Sequence, residues 1–263
     1  MHYYKTTIQY EGTNYAGFQW QNGIQTVQSE FNHALSKILD GKFSTTAASR
    51  TDTGVHAINQ IVKITSSNSL DCSSFIEAFN RALPAQIKCL NIEPCEGLFR
   101  PSATAHSKEY RYFFTNKTKV SKDDGQFIAN ISNPLDIEAM RICLRALVGK
   151  HDFCNFYSSG SNVKSTVRNI FSCELTTINP KDIVSRFELF KMSAELNNCY
   201  EFRIIASGFL KQMIRHIVSA LWMVGSGKLS TEDFMVLLDS PKSKKQLWKV
   251  APPNGLFLYK INY

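Results

Sequence analysis

The sequence predicts an α+β fold built as two ferredoxin-like halves, residues 1–105 and 106–263. Three observations lead there. Residues 3–95 alternate strand-like and helix-like segments in the order β-α-β-β-α-β, the ferredoxin-like plan. The remainder follows a similar order with additions. A chain of 263 residues with 43% apolar content is long enough for one large domain or two moderate ones.

The first half opens with a strand over 3–10. A helix follows "GIQT" over 25–39, then strands at 43–49 and 58–65, the latter ("INQIVKIT") alternating apolar and polar residues. "SLDCSSFIEAFNRAL" offers Asp71 and Ser73 as N-caps for a helix that ends near Pro84, and a strand follows at 86–95. In the second half, the strand "KEYRYFFT" (108–115) leads into a polar loop, 116–133. Pro134 opens the helix "PLDIEAMRICLRALVG" and Gly149 closes it. "HDFCNF" and a Ser/Gly-rich loop (157–165) precede strands expected at 166–178, 184–196 and 200–207. Helices at 209–225 and 231–239 and a last strand at 256–262 complete the chain. No sequence repeat links the halves, so the duplication rests on the order of elements.

Composition narrows the function. The seven cysteines contain no CxxC pair and are odd in number, which argues against a disulfide framework and a zinc site. The six histidines show no ligand spacing, so no metal is expected. "MHYYKTTIQY" lacks the apolar core of a signal peptide, and "IVSALWMVG" is too short to cross a bilayer. A cytoplasmic protein without a membrane partner is therefore expected. A net charge of +8 favours a polyanionic partner, chiefly nucleic acid, although it could also serve solubility alone.

The chemistry concentrates in "SRTDTGVHA" (49–57), a loop between two expected strands. A bare R-x-D is an ordinary turn. The full string R-T-D-x-G-V-H-A is far more specific: seven specified residues match by chance at roughly one in 10⁹ per start at average usage.

This string resembles the catalytic loop of the tRNA pseudouridine synthase A family, and the resemblance extends over nearly the whole chain. "YEGTNYAGFQWQ" and "TVQSEFNHAL" are similar to the family's first strand and helix. "FRPSATAHSKEYRYFF", "LVGKHDFCNF", "VRNI", "FLKQMIRHIVSALWMVG" and "APPNGLFLYKINY" follow in family order. One departure is "GFQWQ", where the family usually carries G-W-Q-x-Q with a basic residue between the glutamines; here Phe18 and Trp20 stand in those places.

The resemblance implies an enzyme that isomerises uridine to pseudouridine in the anticodon stem-loop of tRNA. It also implies that both halves share one central sheet with helices packed on it, an active-site cleft between the halves, a homodimer and no cofactor. The reaction breaks the N1–C1′ bond, turns the base, bonds C5 to C1′ and releases the C5 proton, so it needs no redox partner. Asp52 is implied as the nucleophile, or as the group that initiates a glycal route. Arg50 would fill the space left by the flipped base, because its planar guanidinium stacks on bases. His56 joins the substrate-binding set, with ordering of the loop through a ring hydrogen bond favoured over acid–base work.

Tyr110 and Tyr112 share one face of a strand. They read either as half-buried sheet tyrosines or, by the resemblance for Tyr110, as the platform and proton acceptor for uracil. Arg215 lies in an apolar helix, where its charge needs an acidic partner or a long reach to solvent; the resemblance pairs it with Asp52. Lys211, Arg215 and Ser219 fall on one face at helical spacing. Leu256 reads as a wall of the base pocket or as ordinary core. Phosphate contacts are expected among Arg168, Lys117, Lys119, Lys122, Arg203, Lys242, Lys244 and Lys245. Two alternatives remain: a non-catalytic tRNA-binding or folding module, disfavoured by the intact set Asp52, Tyr110 and Arg215, and a sister synthase with a wider RNA range.

Overall fold

The computed structural model describes residues 1–116, 119–160, 163–179, 198–241 and 248–263. The strand expected at 184–196 and the lysines at 117, 242, 244 and 245 lie outside the described residues. The chain divides into two compact units: Met1–His106 with Phe257–Tyr263, and Ser107–Leu256. Both contain strands and helices, so the α+β class stands.

In unit 1 the order is β1 (His2–Tyr10), α1 (Val27–Ile38), β2 (Phe43–Ala47), β3 (His56–Ser66), α2 (Cys72–Ala82) and β4 (Ile87–Pro94). β1 lies between β4 and β3, antiparallel to both, and β2 pairs antiparallel with the far end of β3. The last strand of the chain, β10 (Leu256–Asn262), runs parallel to the start of β3, with Phe257 opposite His56 and Leu258 opposite Ala57.

The helices form where the sequence caps them. Thr26 and Ser29 exchange side-chain and backbone bonds in a capping box at the start of α1. Val27, Phe31, Ala34 and Leu35 then make one buried face. Asp71, rather than Ser73, caps α2 by accepting from the Ser73 N–H. Phe79 of α2 meets Phe31 of α1 edge to face, ring centres 4.9 Å apart, which closes the core of this unit.

Unit 2 contains β5 (Ser107–Thr115), β6 (Ala129–Asn130), α3 (Ile137–Leu147), β7 (Gly149–Asp152), β8 (Val167–Ile178), β9 (Cys199–Ala206), α4 (Met213–Gly225) and α5 (Thr231–Asp239). Its strands pair in the order β5-β9-β8-β7, with β6 beside β5. Three sequence expectations need correction. Helix α3 starts after Asp136, whose carboxylate accepts from the Ala139 N–H, and not at Pro134. Gly149, at φ +116, turns the chain directly into a short edge strand that the sequence reading passed over. Helix α4 starts at Met213, because Gln212 adopts the left-handed conformation at φ 59. Among the described residues no helix is long and apolar enough to cross a membrane.

Candidate active site

The loop 49–56 of unit 1 is fixed at every turn. At its start, the Gln60 side chain receives the Ser49 N–H (3.2 Å) and donates to the Ser49 carbonyl (2.6 Å). The Tyr10 hydroxyl and the Thr51 hydroxyl share a buried hydrogen bond of 2.8 Å. Val55 N–H closes a turn onto the Asp52 carbonyl at 3.1 Å. At its end, His56 Nδ1 accepts the Gly12 N–H at 3.1 Å, and the imidazole stacks on Phe257 with ring centres 4.6 Å apart.

A second segment, 12–18, is laid against this loop backbone to backbone. Phe18 N–H donates to the Thr51 carbonyl (3.1 Å) and Gly54 N–H to the Tyr15 carbonyl (3.3 Å). The approach requires glycine at two places. A Cβ on Gly12 would sit 2.0 Å from the Val55 carbonyl oxygen; one on Gly17, already at φ +87, would sit 2.6 Å from that of Thr51. Within this frame Thr51 is buried, Asp52 half-buried and Arg50 exposed. A loop held this way carries the Asp52 carboxylate on an ordered backbone. Acceptance of the Gly12 N–H leaves Nδ1 unprotonated, and His56 is fully enclosed (0% exposed). The ring is thus held within the backbone frame of the loop by this bond and by its stack on Phe257.

In unit 2 the face of β5 that carries Tyr110 and Tyr112 looks onto α4. Tyr110 is buried, its ring edge to face with Phe209 at 5.1 Å. Tyr112 donates to the Pro252 carbonyl at 2.8 Å and packs on Trp222 of α4. Burial pushes the Tyr112 hydroxyl well above the ordinary tyrosine range, with the nearby Arg215 charge partly opposing it, so this phenol stays protonated. Arg215 Nε donates to the Ala251 carbonyl at 2.7 Å, and the Arg215 carbonyl in turn accepts from Ala251 N–H. Ser219, one turn on, donates to the Lys249 carbonyl at 2.7 Å. Leu256 is buried just beyond Gly255, which passes so close to β5 that a Cβ there would lie 2.4 Å from the Phe113 carbonyl oxygen.

The start of α4 is locked from the other side by the Ser/Gly-rich loop. Ser158 N–H donates to the Lys211 carbonyl (3.1 Å), and Ser158 Oγ bonds both Gln212 Oε1 (2.5 Å) and His216 Nε2 (3.0 Å). Lys211 thus sits before the helix, not on its face with Arg215 and Ser219 as the sequence suggested. Its exposed ammonium lies beside Gly160. His216 was not singled out from sequence. Burial, with the Arg215 charge next to it, pushes its imidazole down from 6.5 to about 4. Between those values the unfolded chain binds a proton that the folded chain refuses, so stability falls as pH drops through this window. Urea unfolding at pH 7 and pH 4.5 should therefore show the parent losing more stability on acidification than His216→Asn.

The opposite face of β5 and β9 holds a charge cluster. Glu109 bonds Arg203 (2.8 Å) and Arg111 (2.9 Å), and Arg111 also reaches Glu201 (3.0 Å). Burial works against the Glu109 charge, but the Arg203 hydrogen bond and the Arg111 charge outweigh it and hold the carboxyl below its usual range. The Arg203 guanidinium, one of the expected phosphate contacts, is bonded to Glu109. Arg168 lies on β8, separated from β5 by β9, and donates to the Ser165 and Val167 carbonyls. Lys119 and Lys122 are exposed. Lys108, one pleat from Tyr110 on the same face, was also missed; burial pushes its ammonium down to about 8. The alternation in "KEYRY" was the signal that could have found it.

Comparison with known proteins agrees with the motif. A family model described as tRNA pseudouridine synthase matches residues 7–102 and 143–263, which takes in the Asp52 loop and α4 but not Tyr110. The tRNA pseudouridine synthase A of Pelobacter propionicus is 35% identical over 259 residues, spanning 98% of each chain. That of Geobacillus sp. strain WCH70 is 33% identical over 264 residues, 98% of this chain and 97% of its own. That of Thermoanaerobacter sp. strain X514 is 33% identical over 256 residues, 97% of each. With matching segments in both units and relatives aligned nearly end to end, this chain belongs to the tRNA pseudouridine synthase family.

Proposed function

We propose that this enzyme, a tRNA pseudouridine synthase by family, acts on uridines of the anticodon arm, with Asp52 as the group that attacks or initiates departure at C1′. The observation that carries the assignment is the loop itself. A half-buried carboxylate stands on a backbone pinned through Ser49, Thr51, Gly54 and His56, inside the string R-T-D-x-G-V-H-A. Asp52 opens the N1–C1′ bond, the base turns, C5 bonds C1′, and the C5 proton leaves. Tyr110 supplies the ring on which uracil lies and takes that proton. Arg215 serves as counter-charge to the reacting carboxylate, keeping it ionised. Arg50, exposed beside Asp52, fills the gap left by the flipped base.

Leu256 borders the base, and Lys211, Arg168, Lys119 and Lys122 contribute to backbone binding, consistent with the net charge of +8. The working form is a cytoplasmic homodimer that needs no added cofactor. The test is direct. Unmodified tRNA transcripts are incubated with the purified protein, and pseudouridine is mapped by chemical derivatisation and reverse-transcription stops. Stops confined to the anticodon arm support the reading; stops elsewhere, or none, overturn it.

A further inference from the structure

Residues 19–25, "QWQNGIQ", form an exposed turn without a single charged side chain on a protein of net charge +8. Trp20 is 54% exposed at its head. The other two tryptophans, Trp222 and Trp248, are buried. An isolated exposed apolar residue normally needs no explanation, but this one is held in place. Trp20 N–H donates to Gln28 Oε1 (2.9 Å), and the Gln28 amide is itself anchored on Thr45 Oγ1 (3.1 Å). Ala16 N–H bonds the Gln25 carbonyl (3.0 Å), Gln28 N–H the Phe18 carbonyl (2.9 Å), and Gln21 pairs with Ile24 across the turn, where Gly23 adopts φ +70.

The same segment is fastened to the Asp52 loop through Phe18 N–H and the Thr51 carbonyl. Two residues of chain add at most about 7 Å beyond that bond. The indole is thus displayed, on rigid backbone, close to the carboxylate loop.

We propose that Trp20 is a stacking platform for an unpaired nucleobase flanking the uridine that the enzyme isomerises. The inference rests on the reading of Asp52 given above. An uncharged turn offers a phosphate amide hydrogen bonds but no counter-charge. A tryptophan flanked by glutamine and asparagine amides suits a base, which presents a π-face and hydrogen-bonding edges. Flipping a uridine out of a helical arm unstacks its neighbours, and a fixed indole offers them a replacement surface at little ordering cost.

Because Trp222 and Trp248 are buried, tryptophan emission quenched on titration with tRNA reports Trp20. The parent should show this quenching and Trp20→Phe should lack it. Trp20→Ala should weaken tRNA binding about 5- to 150-fold, the range of one lost base stack, and Trp20→Phe should recover most of the loss. The slope of log affinity against log salt should be the same in all three, since no phosphate contact is removed. Unaltered affinity in Trp20→Ala overturns the proposal. So does an affinity loss that Trp20→Phe does not recover, or a loss accompanied by a changed oligomeric state in sedimentation, which would place a second copy of the chain on the indole. A parent that binds and quenches but forms no pseudouridine would refute the reaction and leave the stacking standing.

Discussion

Asp52→Asn is expected to abolish pseudouridine formation while tRNA affinity stays within a few-fold of the parent. The turn around Asp52 is closed by its own carbonyl, which accepts from Val55 N–H, and the neighbouring clamps run through Ser49, Thr51, Gly54 and His56. The side chain can therefore change without releasing the loop. An amide of the same shape keeps the packing but cannot act as a nucleophile at C1′. Affinity for RNA that is carried by phosphate contacts depends little on one carboxylate. Single-turnover assays on a tRNA transcript, beside a filter-binding curve, separate the two quantities. Turnover near the parent rate would remove Asp52 from the chemistry; a loss of binding as deep as the loss of turnover would show that the loop had come apart.

The second large effect is expected at Tyr110, where phenylalanine separates ring from hydroxyl. The ring packs edge to face on Phe209 at 5.1 Å, and the phenyl ring of Tyr110→Phe would fill the same space. Stacking on an aromatic ring contributes about 1–3 kcal/mol per base, so Tyr110→Phe should bind tRNA normally. A positioned general base contributes about 10²–10⁴-fold, and pseudouridine should form at least about 100-fold more slowly. Transcripts tritiated at C5 report the proton step directly. Tritium release at the parent rate would assign the proton to another acceptor and leave Tyr110 as a platform.

Much of this was legible before any coordinates. The alternation in "INQIVKIT" located β3, strands were expected where β1, β5 and β8 lie, and Thr26, Asp71 and Ser230 cap helices where the sequence places helix starts. Failures came where local chemistry competes with periodicity. Gly149 reads as a helix stop, and it is one, but at φ +116 it also redirects the chain into a four-residue edge strand too short to show alternation. Gln212 has no sequence feature that announces a left-handed residue, so α4 was read four residues too long and Lys211 was placed on its face.

The candidate residues Asp52, Tyr110 and Arg215 came from motif resemblance, which names side chains. It does not describe what holds them. The Gly12–Val55 and Phe18–Thr51 contacts are backbone to backbone across 43 and 33 residues of sequence, and such contacts leave no trace in side-chain pattern beyond two glycines. Lys108 and His216 were overlooked for another reason. Their altered proton affinities arise from burial, which depends on the finished packing.

The stacking of His56 on Phe257 has a bearing on how the protein is made. Residues Phe257–Tyr263 belong to unit 1, yet all of Ser107–Leu256 is translated before them. A nascent unit 1 leaving the ribosome has β1 to β4 and both helices, but the edge of β3 beside His56 lacks its parallel neighbour and the imidazole lacks its aromatic cover. Pairing over some two hundred residues is entropically slow, and domains otherwise tend to form in order of synthesis. The Asp52 loop is thus completed last, so a chain interrupted anywhere in unit 2 carries the motif without the strand that seats it.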